Sequence, residues 1–215
     1  MFKDRTDAGQ KLARALGTYR DSGALVLAIP RGGVPVGYEV AAHLHLDLSV
    51  IVARKLPYPF DPEAGFGAIA EDGSTFIFDN TDRLVGEPDI GRIIREQRRE
   101  VMRRVRVLRG DGPIPAIEGR TIMLVDDGIA MGATMRAAIL MCRHLLAKRV
   151  IVAAPVSGSD VAKAIARTVD ETTILETPVN FHAVAQVYES WRDISDDEVV
   201  AILHTWKTDR AQGRS

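Results

Sequence analysis

Residues 121–134 read TIMLVDDGIAMGAT, and the fold turns on how this stretch is read. It opens on a short apolar run, residues 121–125, that follows Gly119. Such a run fits a strand buried on both faces, as in a parallel sheet. Asp126 and Asp127 stand at its C-terminal end, followed by a loop of small residues, Gly128, Ala130, Gly132 and Ala133, with Thr134 leading into good helix formers. In open α/β sheets, ligands bind beyond the carboxyl ends of the strands. A helix N-terminus offers free N–H groups and a positive dipole end, which suit a phosphate. The two carboxylates would repel that phosphate, but they suit vicinal hydroxyls. Phosphate at one end and a diol at the other describe a ribose 5-phosphate.

Upstream, residues 24–29 form a second apolar run that ends in Pro30-Arg31-Gly32-Gly33 and leads into a helix over 34–44. Arginine presents a planar fork to phosphate, and Gly32 and Gly33 expose amides to it, so a diphosphate is the natural guest. Residues 47–53 read as a third strand. At its exit, Arg54 and Lys55 extend the anion-binding character.

Around these motifs, a first helix is expected over 7–20, capped by Thr6 or Asp7, with Leu12, Ala15, Leu16 and Tyr19 on one face. Residues 56–86 are the least regular: Pro57, Pro59 and Pro62 forbid a helix, and 65–70 with 75–79 read as a hairpin around Glu71-Asp72-Gly73. A long helix over 89–109 carries Ile90, Ile93, Ile94, Val101, Val105 and Leu108 on one stripe and arginines 92, 95, 98, 99, 103, 104, 106 and 109 on the other. That face suits RNA or an acidic partner. A solvated helix with i,i+4 pairs is the better fit, because the rest of the chain is not basic. A Pro/Gly connector over 110–119 precedes the signature. Residues 149–154 and 171–175 read as strands, and 160–169 as a helix capped from VSGSD. Residues 178–192 are irregular, and Ser195 with Glu198 forms a capping box for a last helix over 195–206.

At residues 121–134 the chain resembles the 5-phosphoribosyl 1-diphosphate (PRPP) signature of type I phosphoribosyltransferases, closest to the single-domain bacterial members named by homology. The likeness covers nearly the whole chain. It implies an α/β fold with a central, mostly parallel sheet flanked by helices. Residues 1–215 would form one domain, with an inserted flap and long helix over 56–115 and a small C-terminal hood over 176–194. It implies transfer of a phosphoribosyl group from PRPP to a nitrogen nucleophile such as a nucleobase, with Mg²⁺ as cofactor, held through substrate and water near Asp126 and Asp127. By resemblance, these two acids bind the ribose hydroxyls. Gly128, Ala130, Met131, Gly132, Ala133 and Thr134 wrap the 5-phosphate. Arg31, Gly32, Gly33 and Lys55 hold the diphosphate, in a loop that often carries a non-proline cis peptide. Arg31, Lys55, Asp126 and Asp127 form the catalytic set. Phe181 and His182 of the hood are acceptor candidates, and the flap's position makes Glu71 and Asp72 candidate acids, though turn roles fit them better. A homodimer is usual in the family.

Two positions depart from the pattern. Met131 stands where a Thr or Ser hydroxyl usually bonds the phosphate. Losing that bond, worth about 1.5–3 kcal/mol, predicts PRPP binding weaker by about one to two decades. Ala130 stands where 6-oxopurine enzymes carry an aspartate, which argues against hypoxanthine or guanine as acceptor. The alternative is a PRPP- or nucleotide-sensing regulator of the same fold that binds nucleic acid or a protein partner.

Composition sets outer bounds. With 215 residues, 46% hydrophobic content and a net charge of −1, the chain fits one ordinary core and carries no global basic field. The single cysteine, Cys142, excludes an internal disulfide and fits a packing residue in a reducing cytoplasm. No apolar leader is seen in MFKDRTDAGQ, and no run approaches the ~20 residues of a membrane span.

Overall fold

The apolar runs form the centre of the molecule. β1 (Leu25–Ala28), β2 (Asp47–Val50), β6 (Thr121–Val125), β7 (Arg149–Val156) and β8 (Glu171–Glu176) make a parallel sheet in the order β2-β1-β6-β7-β8. These features belong to a computed structural model, which describes residues 1–79, 81, 84–110 and 112–211. Alternate side chains of each strand go to opposite faces. Val26, Ala28, Met123 and Val125 meet one helical layer, with α1 (Arg5–Ala15) and α2 (Gly33–Leu44). Leu25, Leu27, Ile122 and Leu124 meet the other, with α4 (Ala133–His144) and α5 (Ser159–Ala166). Both faces are therefore dry, which is why the strands read as continuous apolar runs.

The third expected strand divides. Residues 47–50 stay in the parallel sheet, but β3 (Ala53–Tyr58) leaves it and pairs with β4 (Asp61–Ala70), which pairs with β5 (Thr75–Ile77), all antiparallel. Arg54 and Lys55 thus lie within a strand, not in a loop after one. Most of the expected irregular region is this second sheet. Proline lacks a ladder donor, and the β3–β4 register slips on both sides of Pro57, which hid the strand pattern from the sequence. The hairpin around Glu71-Asp72-Gly73 is present as expected. α3 (Glu87–Arg109) covers one face of this sheet through Val101, Val105 and Leu108 against Leu56, Phe66 and Ile69. Ala68, Ala70 and Phe76 on the other face meet the α4 layer. Asn80, Asp82, Arg83 and Asp111 of the expected flap lie outside the described residues.

Smaller differences have local causes. α1 starts two residues earlier because Asp4, not Thr6 or Asp7, caps it, accepting from Asp7 N at 2.8 Å. Tyr19 falls in a 3-10 turn after the helix but still packs on the core. α5 is capped by Gly158 without a side-chain bond, so Ser159 and Asp160 sit inside its first turn. α6 (Asp196–Ala211) carries the expected capping box: Ser195 N donates to Glu198 Oε2 at 2.9 Å and Glu198 N to Ser195 Oγ at 3.1 Å. No helix among the described residues is long and apolar enough to cross a membrane.

Candidate active site

Because β1 and β6 are neighbours, the loops that leave them meet at one edge of the sheet. Ile29 N donates to Val125 O at 2.8 Å, carrying the pairing up to the mouth of both loops. Pro30 and Arg31 are joined by a cis peptide. Gly32 then lies so close to the acidic pair that a Cβ there would overlap Asp127 Oδ2. A Cβ on Gly33 would stand 2.9 Å from Asp126 Cα. Only glycine allows this approach, and it places the Arg31–Gly33 loop beside Asp126 and Asp127. The Arg31 side chain is exposed.

The loop after β6 turns into α4 at Gly132, whose φ of +76° is the left-handed region that favours glycine. No side chain caps this helix, so its first amides, from Ala133 onward, are open to a ligand. A cavity of about 640 Å³ lies against them. Asp126 and residues 128–134 form one wall, and Lys55, Tyr58, Glu63, Ala64, Gly65, Gly67 and Phe78 the other. Met131 stands at the cavity with 68% of its surface exposed.

The two aspartates differ. Asp126 is half-buried and lines the cavity, with Oδ1 accepting from Asp127 N at 2.9 Å. Asp127 is buried and turned away from it: Arg5 Nε donates to its Oδ2 at 2.7 Å. Arg5 also donates from Nη1 to Arg192 O at 2.8 Å and lies 3.9 Å from the centroid of the Trp191 ring. Tyr188 donates its hydroxyl to Asp127 O at 2.7 Å. Burial, and after it the neighbouring Asp127 charge, holds the Asp126 carboxyl well above the usual carboxylate range. Burial raises Asp127 as well, with Arg5 pulling the other way. Burial also pushes the Tyr188 hydroxyl up, keeping it a neutral donor.

Arg5, Tyr188 and Trp191 escaped the sequence reading, since nothing local ties Arg5 to an aspartate 122 positions away. The structure brings Asp126 and the 128–134 loop to the cavity and Lys55 to its opposite wall, where Nζ bonds Glu63 O. Phe181 and His182 do not line it. Phe181 packs half-buried near Gly158, and His182 is exposed. Glu71 is buried against Arg109 and accepts from Val52 N at 3.2 Å, while Asp72 binds Ser74 and His144, so both hold structure. Cys142 is buried, and burial pushes its thiol up to about 12, which suits packing, not nucleophilic attack.

A family model described as phosphoribosyl transferase domain matches residues 5–190. Two curated Mycobacterium tuberculosis proteins, provisionally named phosphoribosyl transferases, are each 42% identical over 215 residues, covering 99% of this chain. The chain spans only 48% of each of those relatives, about half their length. The crystal structure of TT1426 from Thermus thermophilus is 35% identical, with a TM-score of 0.79 over 95% of this chain and 98% of that one. The chain belongs to the phosphoribosyl transferase domain family.

Proposed function

We propose that this chain is a phosphoribosyltransferase that binds PRPP with Mg²⁺ and moves the 5-phosphoribosyl group to a nitrogen nucleophile, a nucleobase or a similar ring, releasing diphosphate. The contact between the Gly32 backbone and Asp127 carries this reading. It brings an arginine-glycine anion loop beside an acidic pair, and that pair adjoins the uncapped start of α4. Amides of Gly128, Ala130, Met131, Gly132 and Ala133, with the Thr134 hydroxyl, take the 5-phosphate. Asp126 takes ribose hydroxyls directly, and Asp127, held by Arg5, backs it. Arg31, with Gly32, Gly33 and Lys55, takes the diphosphate and stabilises the charge that grows on it as the C1–O bond breaks.

The donor set suits Mg²⁺ carried in by substrate. Asp126 offers a single cavity-facing carboxylate, and no cluster of three His, Cys, Asp or Glu side chains forms a cage among the described residues. Mg²⁺ favours substrate oxygens and water, so Asp126 would meet its water shell, and the bound ion supplies charge neutralisation at the diphosphate. We also place residues 1–215 together as one phosphoribosyltransferase-like unit that works in the cytoplasm and pairs as a homodimer. Calorimetry with PRPP and Mg²⁺, followed by diphosphate release with a panel of nucleobases, tests the reading. Saturable PRPP binding with base-dependent release supports it; no PRPP binding at millimolar concentration ends it.

One observation favours a second reading, a PRPP- or nucleotide-sensing regulator that binds nucleic acid or a protein. On α3, Arg92, Arg103, Arg104 and Arg109 pair with carboxylates, whereas Arg95, Arg98, Arg99 and Arg106 line a groove of about 700 Å³ around Met102. Nucleic acid that copurifies and is released by salt supports this reading. Clean protein that does not shift a labelled RNA oligonucleotide counts against it.

A further inference from the structure

One charge close to the start of α4 has no counterpart in the fold. Arg136 lies in the first turn of that helix, and its backbone N–H donates to Gly132 O at 3.0 Å, closing the turn. It shares a helix face with Gly132 and Ala133, which line the cavity. Side chains on a helix lean toward its N-terminus, so the guanidinium leans toward the turn that opens on the cavity. Ring contacts fix its place. Arg136 Cζ stands 5.0 Å from the centroid of the Phe76 ring, Phe76 meets Phe78 edge-on at 5.1 Å, and Phe78 lines the cavity across from Ala133 and Thr134. Arg136 therefore sits behind the cavity wall and does not line the cavity itself.

This position disfavours a cation on three counts. The start of α4 already carries the positive end of the helix dipole. The side chain is half-buried, and its Nε is buried with no acceptor among the described residues. Arg143, at the other end of the same helix, pairs with Asp170 at 2.9 Å, whereas Arg136 has no ion pair among the described residues. The Phe76 face attracts the guanidinium but does not replace a counter-ion. Arginine keeps its proton, so the charge cannot be shed. The ligand-free chain thus holds uncompensated positive charge beside the uncapped amides of α4, and an anion seated on those amides balances it.

We propose that Arg136 is the counter-charge of the 5-phosphate, acting from behind the wall at which α4 meets β5. This rests on the phosphoribosyl reading above. The loop amides and the Thr134 hydroxyl fix where the phosphate sits. Arg136 adds attraction that needs no contact, and the apolar rings beside it keep that attraction from being screened as it would be in water. It touches no reacting atom and takes no part in bond making.

Two measurements read together test this: calorimetry of ribose 5-phosphate, and Tm of the ligand-free chain. Arg136→Met keeps an unbranched side chain that can pack on Phe76 but removes the charge. It should weaken ribose 5-phosphate binding about fivefold. Its ligand-free Tm should stay level or rise by about 1–3 °C, because an unbalanced charge has gone. A residue that merely held the fold would lower Tm instead. Arg136→Lys keeps the charge and should bind ribose 5-phosphate within about twofold of the wild type. Unchanged affinity in Arg136→Met, a fall in its Tm, or an Arg136→Lys chain as weak as Arg136→Met each overturns the assignment. Failure of ribose 5-phosphate to bind the wild-type chain at all instead removes the phosphoribosyl reading, and this proposal with it.

Discussion

Asp126 and Asp127 are adjacent in the chain and alike in chemistry, yet replacing them should have opposite effects on stability. Asp126 has its carboxyl raised by burial, so the folded state holds its proton more tightly than the unfolded chain does. Stability from this group is therefore greatest at acid pH and falls as pH rises toward the raised value; above it, the charge is a standing cost. Asp126→Asn should abolish ribose 5-phosphate binding yet raise Tm at pH 8, with the gain shrinking toward pH 4 in scanning calorimetry. Asp127→Asn leaves the buried Arg5 without its anion and should cost about 3–5 kcal/mol in urea unfolding. The sequence marks both acids only as candidates for binding ribose hydroxyls; Arg5 makes Asp127 a structural residue as well. Met131 offers a gain: if the 128–134 loop takes the 5-phosphate as proposed, Met131→Thr supplies it with a hydroxyl and should tighten PRPP binding by about one to two decades in calorimetry. The side chain is largely exposed, so the change opens no hole in the core.

At the scale of elements, the strand–loop–helix unit around Gly132 is the most demanding piece of local geometry. Gly132→Ala would force a Cβ into a left-handed residue and to within 2.9 Å of Val161 Cγ1. It should cost about 1–3 kcal/mol and move the first amides of α4, weakening phosphate binding in the same calorimetric assay. This unit was readable from the sequence because its signals are consecutive: an apolar run, two acids, small residues, helix formers. The Pro30–Gly33 turn was readable for the same reason, and the capping box at Ser195 likewise. β3 and β4 were not. Pro57 and Pro62 speak against strands, and only the covering of this sheet by α3 and α4 makes its pairing worthwhile. The expected place of Lys55 after a strand was therefore wrong in detail, although the residue does reach the cavity.

Across the whole molecule, the parallel α/β architecture followed from apolar runs joined by helical segments. The expectation of helices on both faces agrees with the two cores found there. The joining of the two ends was not legible. Phe2 N donates to Val187 O at 2.7 Å, Glu189 N to Phe2 O at 2.8 Å and Ser190 N to Lys3 O at 2.9 Å. Arg5 follows at once and reaches Asp127. Such contacts leave no periodic trace, since each is a single pairing between distant segments. Removing residues 1–5 should therefore weaken ribose 5-phosphate binding although none of them lines the cavity. Hydrogen exchange should show the 187–190 amides losing protection together in that truncated chain.

The lacing of residues 2–5 to 187–192 also orders events in time. Residues 2–5 find their main-chain partners only after some 180 further residues have been synthesised, at about 5–20 residues per second. Asp127 can meet Arg5 sooner, but the Arg192 carbonyl and the Trp191 ring that also hold the guanidinium come last. A nascent chain would carry both aspartates and the whole 128–134 loop and still lack part of what holds Arg5 against them.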